Sequence, residues 1–446
     1  MISTNISQDP YPVYPIGMAT VSAALAAGGH DVRQFDLLAE GGSDERLRGV
    51  ISSFDPHYVG ISLRNIDTVD SCDPEDRWYL SADLRLMKVV REATRAPVII
   101  GGSAFSIMPE EILNYLGGDY GVVGEGEHVI CGLIDALIEG KAIPRITMSR
   151  HADGLLNAAA TNPLWEPGLV KFYTEQSGMV NMSTKRGCPH HCAYCTYPAL
   201  EGHTVRYSVP DDVADHVQHL KTSYGVDALY FTDSVFNDEK GHYLEVAEAL
   251  VRRELNVKWT AFFRPARIDP DEWALLKRSG LYAIELGSDA ASDAALAGLD
   301  KGFTFDEIYA FNEAAVKARV PCAHYVMFGG PGETRESIDE GLRNLSLLTN
   351  CMVIVLSGIR ILPATSLHAR AIEDGIIAKE TPLLEPVYYF SPDIDRKNMN
   401  DTIENAFRGR MDRIFPPSEG ARLMKNMNSL GYRGLLWDRL INFDRN

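Results

Sequence analysis

Lys185-Arg186-Gly187-Cys188-Pro189-His190-His191-Cys192-Ala193-Tyr194-Cys195 is the stretch on which the reading of the fold turns. Its CxxxCxxC spacing brings three thiols onto one tight loop. Zinc or iron centres that serve only structure close with four protein ligands. Three cysteines in so short a run therefore point to an iron-sulfur cluster with one iron left open to a substrate or cofactor. The competing reading is a zinc site to which His190, His191 or His203 adds a fourth ligand. The sequence downstream separates the two, because a zinc ribbon needs no barrel around it.

From Gly178 onward short apolar runs alternate with helical patterns. The expected strands are Met179–Thr184, Ala228–Thr232, Val257–Phe263, Tyr282–Leu286, Ala323–Phe328 and Val353–Ile361. Helices are expected over 211–222, 240–255, 271–279, 304–319 and 334–348, with glycine and proline marking their ends. Six such units suit a partial barrel better than a closed one of eight, and polar residues gather at the strand ends, where barrels build their sites. A zinc ribbon would not generate this alternation.

The cysteine loop resembles the cluster-binding signature of the radical S-adenosylmethionine (SAM) superfamily. The resemblance implies a 4Fe-4S cluster on Cys188, Cys192 and Cys195, with SAM bound to the open iron and cleaved to a 5'-deoxyadenosyl radical. It also implies an external electron donor such as flavodoxin or ferredoxin. SAM contacts carry over position by position. Tyr194 matches the aromatic residue near adenine, and Asp233 and Ser234 end the second strand, where acceptors for the SAM ammonium are placed. The GGE form seen in many members is absent there. Arg264, better placed than Arg267, ends the third strand and suits the SAM carboxylate. Glu285 and Ser288, in Glu-Leu-Gly-Ser, are similar to the family's Glu-Ser-Gly run, and Leu299-Asp300-Lys301-Gly302 also matches. Phe328 in Phe-Gly-Gly-Pro-Gly-Glu, and Arg360 and Leu362 in Ile-Arg-Ile-Leu-Pro, resemble strand ends whose backbone receives adenine. No Ser/His/Asp set or HExxH motif occurs, so no catalytic side chain is assigned and the chemistry rests on cofactors.

Residues 1–140 alternate in the same way, as in a parallel sheet covered by helices. Strands are expected at Ile2–Ser7, Val32–Leu37, Tyr58–Leu63, Pro97–Gly101 and Tyr120–Val123, with helices over 17–27 and 82–94. Ligands of such open sheets sit at the carboxyl ends of the strands. Three of those ends stand out: Arg64-Asn65 with the loop through Cys72, Gly101-Gly102-Ser103, and Gly124-Glu125-Gly126-Glu127. Glycines there would let the backbone approach a bulky ligand. No GxGxxG follows the first strand, which disfavours a dinucleotide. Together with Tyr11-Pro-Val-Tyr-Pro-Ile-Gly17 and Gly29-His-Asp-Val32, these runs are similar to the cobalamin-binding domain fused to many radical SAM enzymes. That resemblance implies a corrinoid held by the residues just named at the three strand ends. Because DxHxxG is absent, it implies no histidine below the cobalt.

The expected organisation is thus α/β throughout: a doubly wound Rossmann-like domain over 1–140, a linker over 141–177, a partial (β/α)6 radical SAM barrel over 178–364 and a mainly helical extension over 365–446. Tyr388, Tyr389 and Phe390 read as a hydrophobic clasp between tail and barrel. A chain of 446 residues, 45% hydrophobic and 23% charged, has the composition of an ordinary soluble enzyme. Its net charge of -18 argues against nucleic acid as a partner and for a small or carrier-bound substrate. No run approaches the roughly 20 apolar residues of a membrane span. Seven cysteines, an odd number with three clustered, suit a reducing compartment, so a cytoplasmic location is expected. Cys131, Cys322 and Cys351 read as small buried hydrophobes. The resemblances together imply a cobalamin-dependent radical SAM methyltransferase acting on an unactivated carbon. The alternative is a radical SAM dehydratase, oxidoreductase, rearrangement or C-C bond-forming enzyme whose N-terminal domain does not use methylcobalamin.

Overall fold

A computed structural model describes residues 1–8, 10–72, 78–149, 156, 162–441 and 443. The N-terminal part is a six-stranded parallel sheet of β1 (Ile2–Ser3), β2 (Phe35–Asp36), β3 (Val59–Ser62), β4 (Val98–Gly101), β5 (Tyr120–Val123) and β6 (Ile146–Met148). Val98, Ile99 and Ile100 of β4 are all buried, the signature of a strand covered by helices on both faces. The order β2-β1-β3-β4-β5-β6 reverses direction between β1 and β3, and a ligand crevice opens outside the carboxyl ends at such a switch point.

The sheet runs past the expected boundary at 140. Ile146–Met148 pairs in parallel with β5, Gly121 opposite Ile146, and covers backbone groups that an edge strand would otherwise expose. Further along the expected linker, Pro167–Ser177 is a helix capped by the Glu166 carboxylate, which accepts the Leu169 N–H at 2.7 Å. Asp44–Phe54 is a helix beyond the expected ones, started by Ser43, whose side chain accepts the Arg46 N–H at 3.2 Å.

The second sheet begins with β7 (Val180–Met182), followed by the short antiparallel pair β8 (Lys185–Arg186) and β9 (Arg206–Tyr207) that brackets the cysteine loop. Then come β10 (Ala228–Phe231), β11 (Lys258–Phe263), β12 (Leu281–Asp289), β13 (Cys322–Phe328) and β14 (Cys351–Ser357), with β15 (Ile359–Arg360) pairing antiparallel to β16 (Tyr388–Tyr389). β17 (Arg413–Ile414) joins beside β14, so the sheet reads β17-β14-β13-β12-β11-β10-β7 with every neighbour parallel. All six expected barrel strands are present. The seventh comes from the tail, which is helical in the main but not throughout.

Alternation along these strands divides the molecule into a helix-facing core and a lumen. Val180, Phe231, Trp259, Ile284 and Val353 face the helices, whereas Met179, Tyr230, Phe262, Ala283, Tyr325 and Ile354 face inward. Leu435, Leu436 and Trp437 of the tail pack into the inward cluster. Tyr11, from the segment after β1, reaches the same cluster across the domain boundary. Among the described residues no helix is long and apolar enough to cross a membrane.

Candidate active site

The cysteine loop is held by backbone contacts on three sides. Gly187 has φ +97, and a Cβ there would lie 2.3 Å from the Thr204 carbonyl, so only glycine lets the loop turn at this point. The Gly187 N–H donates to the Glu201 carboxylate at 2.9 Å and the Cys188 N–H to the Gly202 carbonyl at 3.0 Å. Ala193, between the second and third cysteines, donates its N–H to Leu299 at 2.9 Å, and its carbonyl accepts the Leu367 N–H at 2.8 Å. The loop is thus anchored to the turn after β12 and to the helix Ser366–Glu373.

The donor set fits a cluster better than a single ion. Among the described residues, the only three metal-binding side-chain atoms within 4.8 Å of one another belong to Glu125, Glu127 and His128, so the three thiols are spread more widely than that. A tetrahedral zinc with bonds of about 2.3 Å holds its sulfurs about 3.8 Å apart. Nor does His190, His191 or His203 complete a tighter set with the thiols. The His191 and His203 rings stack on each other at 5.0 Å. Burial pushes the Cys195 thiol up to about 12 and also raises Cys188, so binding at these sulfurs must displace protons.

Beside the loop lies a charged group that the motif reading did not single out. The Lys301 ammonium donates to the Cys192 sulfur at 3.4 Å and to the Asp289 carboxylate, which also accepts the Tyr194 hydroxyl. Burial would lower the Lys301 pKa, but Asp289 and Cys192 outweigh it and raise it. Arg264 is tied to the same turn through an NH2 donor to the Lys301 carbonyl at 2.5 Å, and its guanidinium lies over Phe303. Lys301 stood in a run quoted for the family resemblance, and Asp289 directly follows another. Only the fold shows that they meet.

Several expected SAM residues are engaged elsewhere. Asp233 accepts the Thr184 N–H at 2.7 Å, the Thr184 hydroxyl at 2.5 Å and the Lys185 N–H at 3.2 Å, so its carboxylate props the base of the loop. The Ser234 hydroxyl donates to the Gly187 carbonyl at 3.0 Å and supports the loop as well. Ser288 faces the helices: its hydroxyl pairs with His324 at 2.9 Å, and His324 with Asn312 at 3.1 Å, all three fully buried. The bulge between Leu286 and Asp289 shifts the register there, which spacing alone does not disclose. The Phe328 ring is core against Gly341 and Leu362 packs at the core's edge, which leaves the backbone expectation at both strand ends untouched. Arg360, 4% exposed, is an inter-domain strut, with its Nε 2.7 Å from Asp67 and its other donors on the Ile361 and Leu383 carbonyls.

Glu285 points into the lumen, where it accepts the hydroxyls of Tyr11 and, at 3.3 Å, Tyr230. Burial pushes its carboxyl up to about 7 against the lowering effect of those two donors. Asn181, opposite Tyr230 on β7, has a buried side-chain oxygen with no partner among the described residues.

Of the glycines expected to make room for a corrinoid at the N-terminal sheet, Gly102 is demanded by the protein itself: at φ +102, a Cβ there would lie 2.3 Å from the Leu63 carbonyl. A Cβ on Gly101, Gly124 or Gly126 would meet its nearest neighbour at 3.3 to 3.4 Å, which is no such obstacle. Ser103 donates to the Arg64 carbonyl at 2.9 Å. Glu125 takes Arg206 in a two-pronged bond of 2.9 and 2.5 Å, and Glu127 pairs with Arg186, two residues before Cys188. These two carboxylates bind the N-terminal domain to the β8–β9 bracket of the cysteine loop. The Cys72 sulfur accepts from Asn400 of the tail at 3.9 Å, and Ser71 bonds Ser357 and Arg396; residues 73–77 of that loop lie outside the described residues. Arg64 and Asn65 are left with side chains that have no hydrogen-bond partner among the described residues, at the β3 end of the switch point. The unpartnered buried Nδ2 of Asn5 follows β1 at the same crevice. The helix Ser103–Ile107 after β4 packs against the helix Tyr197–Glu201, which follows Cys195, so the carboxyl end of the first sheet and the cysteine loop are neighbours. These groups fit a large polar ligand lying between the domains.

A family model of the Radical SAM superfamily matches residues 182–345, and one of the B12 binding domain matches residues 2–134. Among curated proteins the chain is similar to tryptophan 2-C-methyltransferase of Streptomyces laurentii, 26% identical over 83% of this chain and 74% of the relative. It is also similar to an uncharacterised methyltransferase of Pyrococcus horikoshii, 25% identical over 74% of this chain and 72% of the relative. In fold it matches the radical SAM methyltransferase TsrM from Kitasatospora setae, solved with cobalamin and a 4Fe-4S cluster bound, at a TM-score of 0.85 and 21% identity over 99% of this chain and 97% of that one. The cobalamin-dependent SAM radical enzyme OxsB matches at a TM-score of 0.71 and 13% identity over 96% of this chain and 70% of that one. The loop that stood one ligand short of a closed site has its explanation here: the chain belongs to the radical SAM superfamily, in the branch that carries a cobalamin-binding domain.

Proposed function

We propose that this chain is a cobalamin-dependent radical SAM methyltransferase that places a methyl group on an unactivated carbon of a small molecule. One observation carries the reading: Glu125–Arg206 and Glu127–Arg186 lock the carboxyl end of β5 in the first sheet against the β8–β9 bracket of the cysteine loop. When bound, the cluster with SAM supplies one-electron chemistry and the corrinoid a methyl carrier. Cys188, Cys192 and Cys195 would hold the cluster, Arg264 would offer its remaining N–H groups to the SAM carboxylate, and Tyr194 would contribute to the adenine site. Arg64 and Asn65 face the corrinoid from the β3 end. Glu285, held by Tyr11 and Tyr230 among the aromatic side chains of the lumen, accepts an N–H or a proton from the substrate.

The likeness to a tryptophan 2-C-methyltransferase and the aromatic lumen support an aromatic amino acid as the first probe. An external low-potential donor of the flavodoxin or ferredoxin kind completes the system in the cytoplasm, and the net charge of -18 supports a small-molecule partner over nucleic acid. The test is anaerobic reconstitution with iron, sulfide and hydroxocobalamin, then incubation with methyl-labelled SAM, a reductant and L-tryptophan beside other aromatic acids. The expected products are labelled acceptor, S-adenosylhomocysteine and 5'-deoxyadenosine, the last carrying the hydrogen taken from the acceptor carbon. A chain that binds no corrinoid, or that yields 5'-deoxyadenosine with no methyl transfer to any acceptor, sinks the proposal. Cys192→Ala should lose the visible iron-sulfur absorbance and all turnover.

A further inference from the structure

The geometry points to Lys301 as the residue that sets the reduction potential of the cluster, through an ammonium–sulfur contact at Cys192 moderated by Asp289. The inference rests on the cluster reading of the three cysteines and not on the reaction that follows.

The contact is built into the backbone. The helix Asp293–Gly298 ends in a turn whose Leu299 carbonyl accepts the Ala193 N–H of the cysteine loop, while Asp300 takes φ +52 and the Lys301 N–H returns to Leu296 at 3.0 Å. The lysine turn and the loop are therefore one hydrogen-bonded unit. Lys301 is only 7% exposed, and its Nζ lies 3.4 Å from the Cys192 sulfur. A buried ammonium needs a partner, and Asp289 supplies it from the end of β12 in a left-handed conformation of φ +60. The Tyr194 hydroxyl donates to that same carboxylate and orients it. The Lys301 and Arg264 side chains share Phe303, which closes the group on a further side.

The electrostatic consequence has a definite sign. A cluster on three thiolates gains negative charge when it takes an electron, and hydrogen bonds or positive charge at its sulfurs favour that state. Burial keeps water and salt from screening the ammonium. Asp289 opposes the effect from behind the ammonium, so Lys301 raises the potential and Asp289 trims it. Among the described residues, Cys192 is the cluster cysteine that accepts a charged hydrogen bond.

The test is a redox titration of the anaerobically reconstituted full chain, followed by electron paramagnetic resonance with dithionite as reductant and no methyl acceptor present. Lys301→Met should make reduction about tenfold less favourable, a midpoint lower by ~59 mV for one electron. Lys301→Arg should stay near the parent value, and Asp289→Asn should move the midpoint the other way. A role confined to holding the fold would not produce opposite shifts. Lys301→Met with full iron loading and an unchanged midpoint overturns the inference. Should Lys301→Met take up no iron, Asp289→Asn decides: a raised midpoint upholds it, and an unchanged or lowered one overturns it. A parent chain that takes up no cluster at all refutes the cluster reading instead, so the two failures are told apart.

Discussion

Glu285 shows how much a single side chain owes to its remote neighbours. Its carboxyl ordinarily titrates at 4.5 and is pushed up to about 7 by burial. Because the folded value lies above the unfolded one, the native state binds the extra proton between these values. Stability from this group therefore falls as pH rises from 4.5 to 7 and stays reduced above. Glu285→Gln, which carries no charge to bury, should match the parent near pH 5 and exceed it at pH 8 by on the order of 3 kcal/mol, read by denaturant unfolding at the two pH values. Gly102 makes a steric prediction. Gly102→Ala forces a Cβ to within 2.3 Å of the Leu63 carbonyl at φ +102, and should cost about 2 kcal/mol or more in the same assay. The three cysteines stood out because the spacing of a cluster motif is local. Asp233, Ser288 and Glu125 stood out at strand ends, but their hydrogen bonds to Thr184, His324 and Arg206 were not legible there.

At the scale of elements, the junction that matters is the loop after β5 against the β8–β9 pair. Burial alone would raise the Glu125 carboxyl. The Arg206 hydrogen bonds and the charges of Arg186, Arg206 and His128 overcome it and hold the group at about 2, below its ordinary 4.5. A depressed value means the stabilisation is present above 4.5 and is lost as pH falls toward 2. Glu125→Gln should therefore be less stable than the parent at pH 7 by roughly 3–5 kcal/mol, the cost of stranding a buried arginine, with the gap closing toward pH 3. Hydrogen exchange across 185–207 should report the same loosening as lost protection. The barrel strands were read to within a residue or two, since parallel buried strands are continuous apolar runs, except at the carboxyl ends of β12, which runs on to Asp289, and β14, which stops at Ser357. β6 and β17 escaped because two or three residues carry no periodicity, and their pairing depends on an open edge at β5 and at β14.

Over the whole molecule, the domains are joined by buried polar struts rather than by a flexible tether. Arg360 pairs with Asp67, Ser71 bonds Ser357 and Arg396, and Tyr11 reaches Glu285 from the far side of the boundary. Arg360→Met would leave Asp67 buried without its partner. It should lower stability by about 3–5 kcal/mol and open the boundary to limited proteolysis while each sheet remains protected. The sequence by itself determined the fold class, both cofactor-binding resemblances and the three cysteines, because helix and strand periodicity and ligand spacing are properties of neighbouring residues. Only the tertiary structure decided which carboxylates and guanidiniums are struts and which face the cavity. It alone brought Lys301, Asp289, Tyr194 and Cys192 together, and turned Tyr11 into a residue of the barrel. Those pairings join residues from 12 to 325 positions apart, and a charge is placed by whatever buried partner the packing supplies, which no local pattern records.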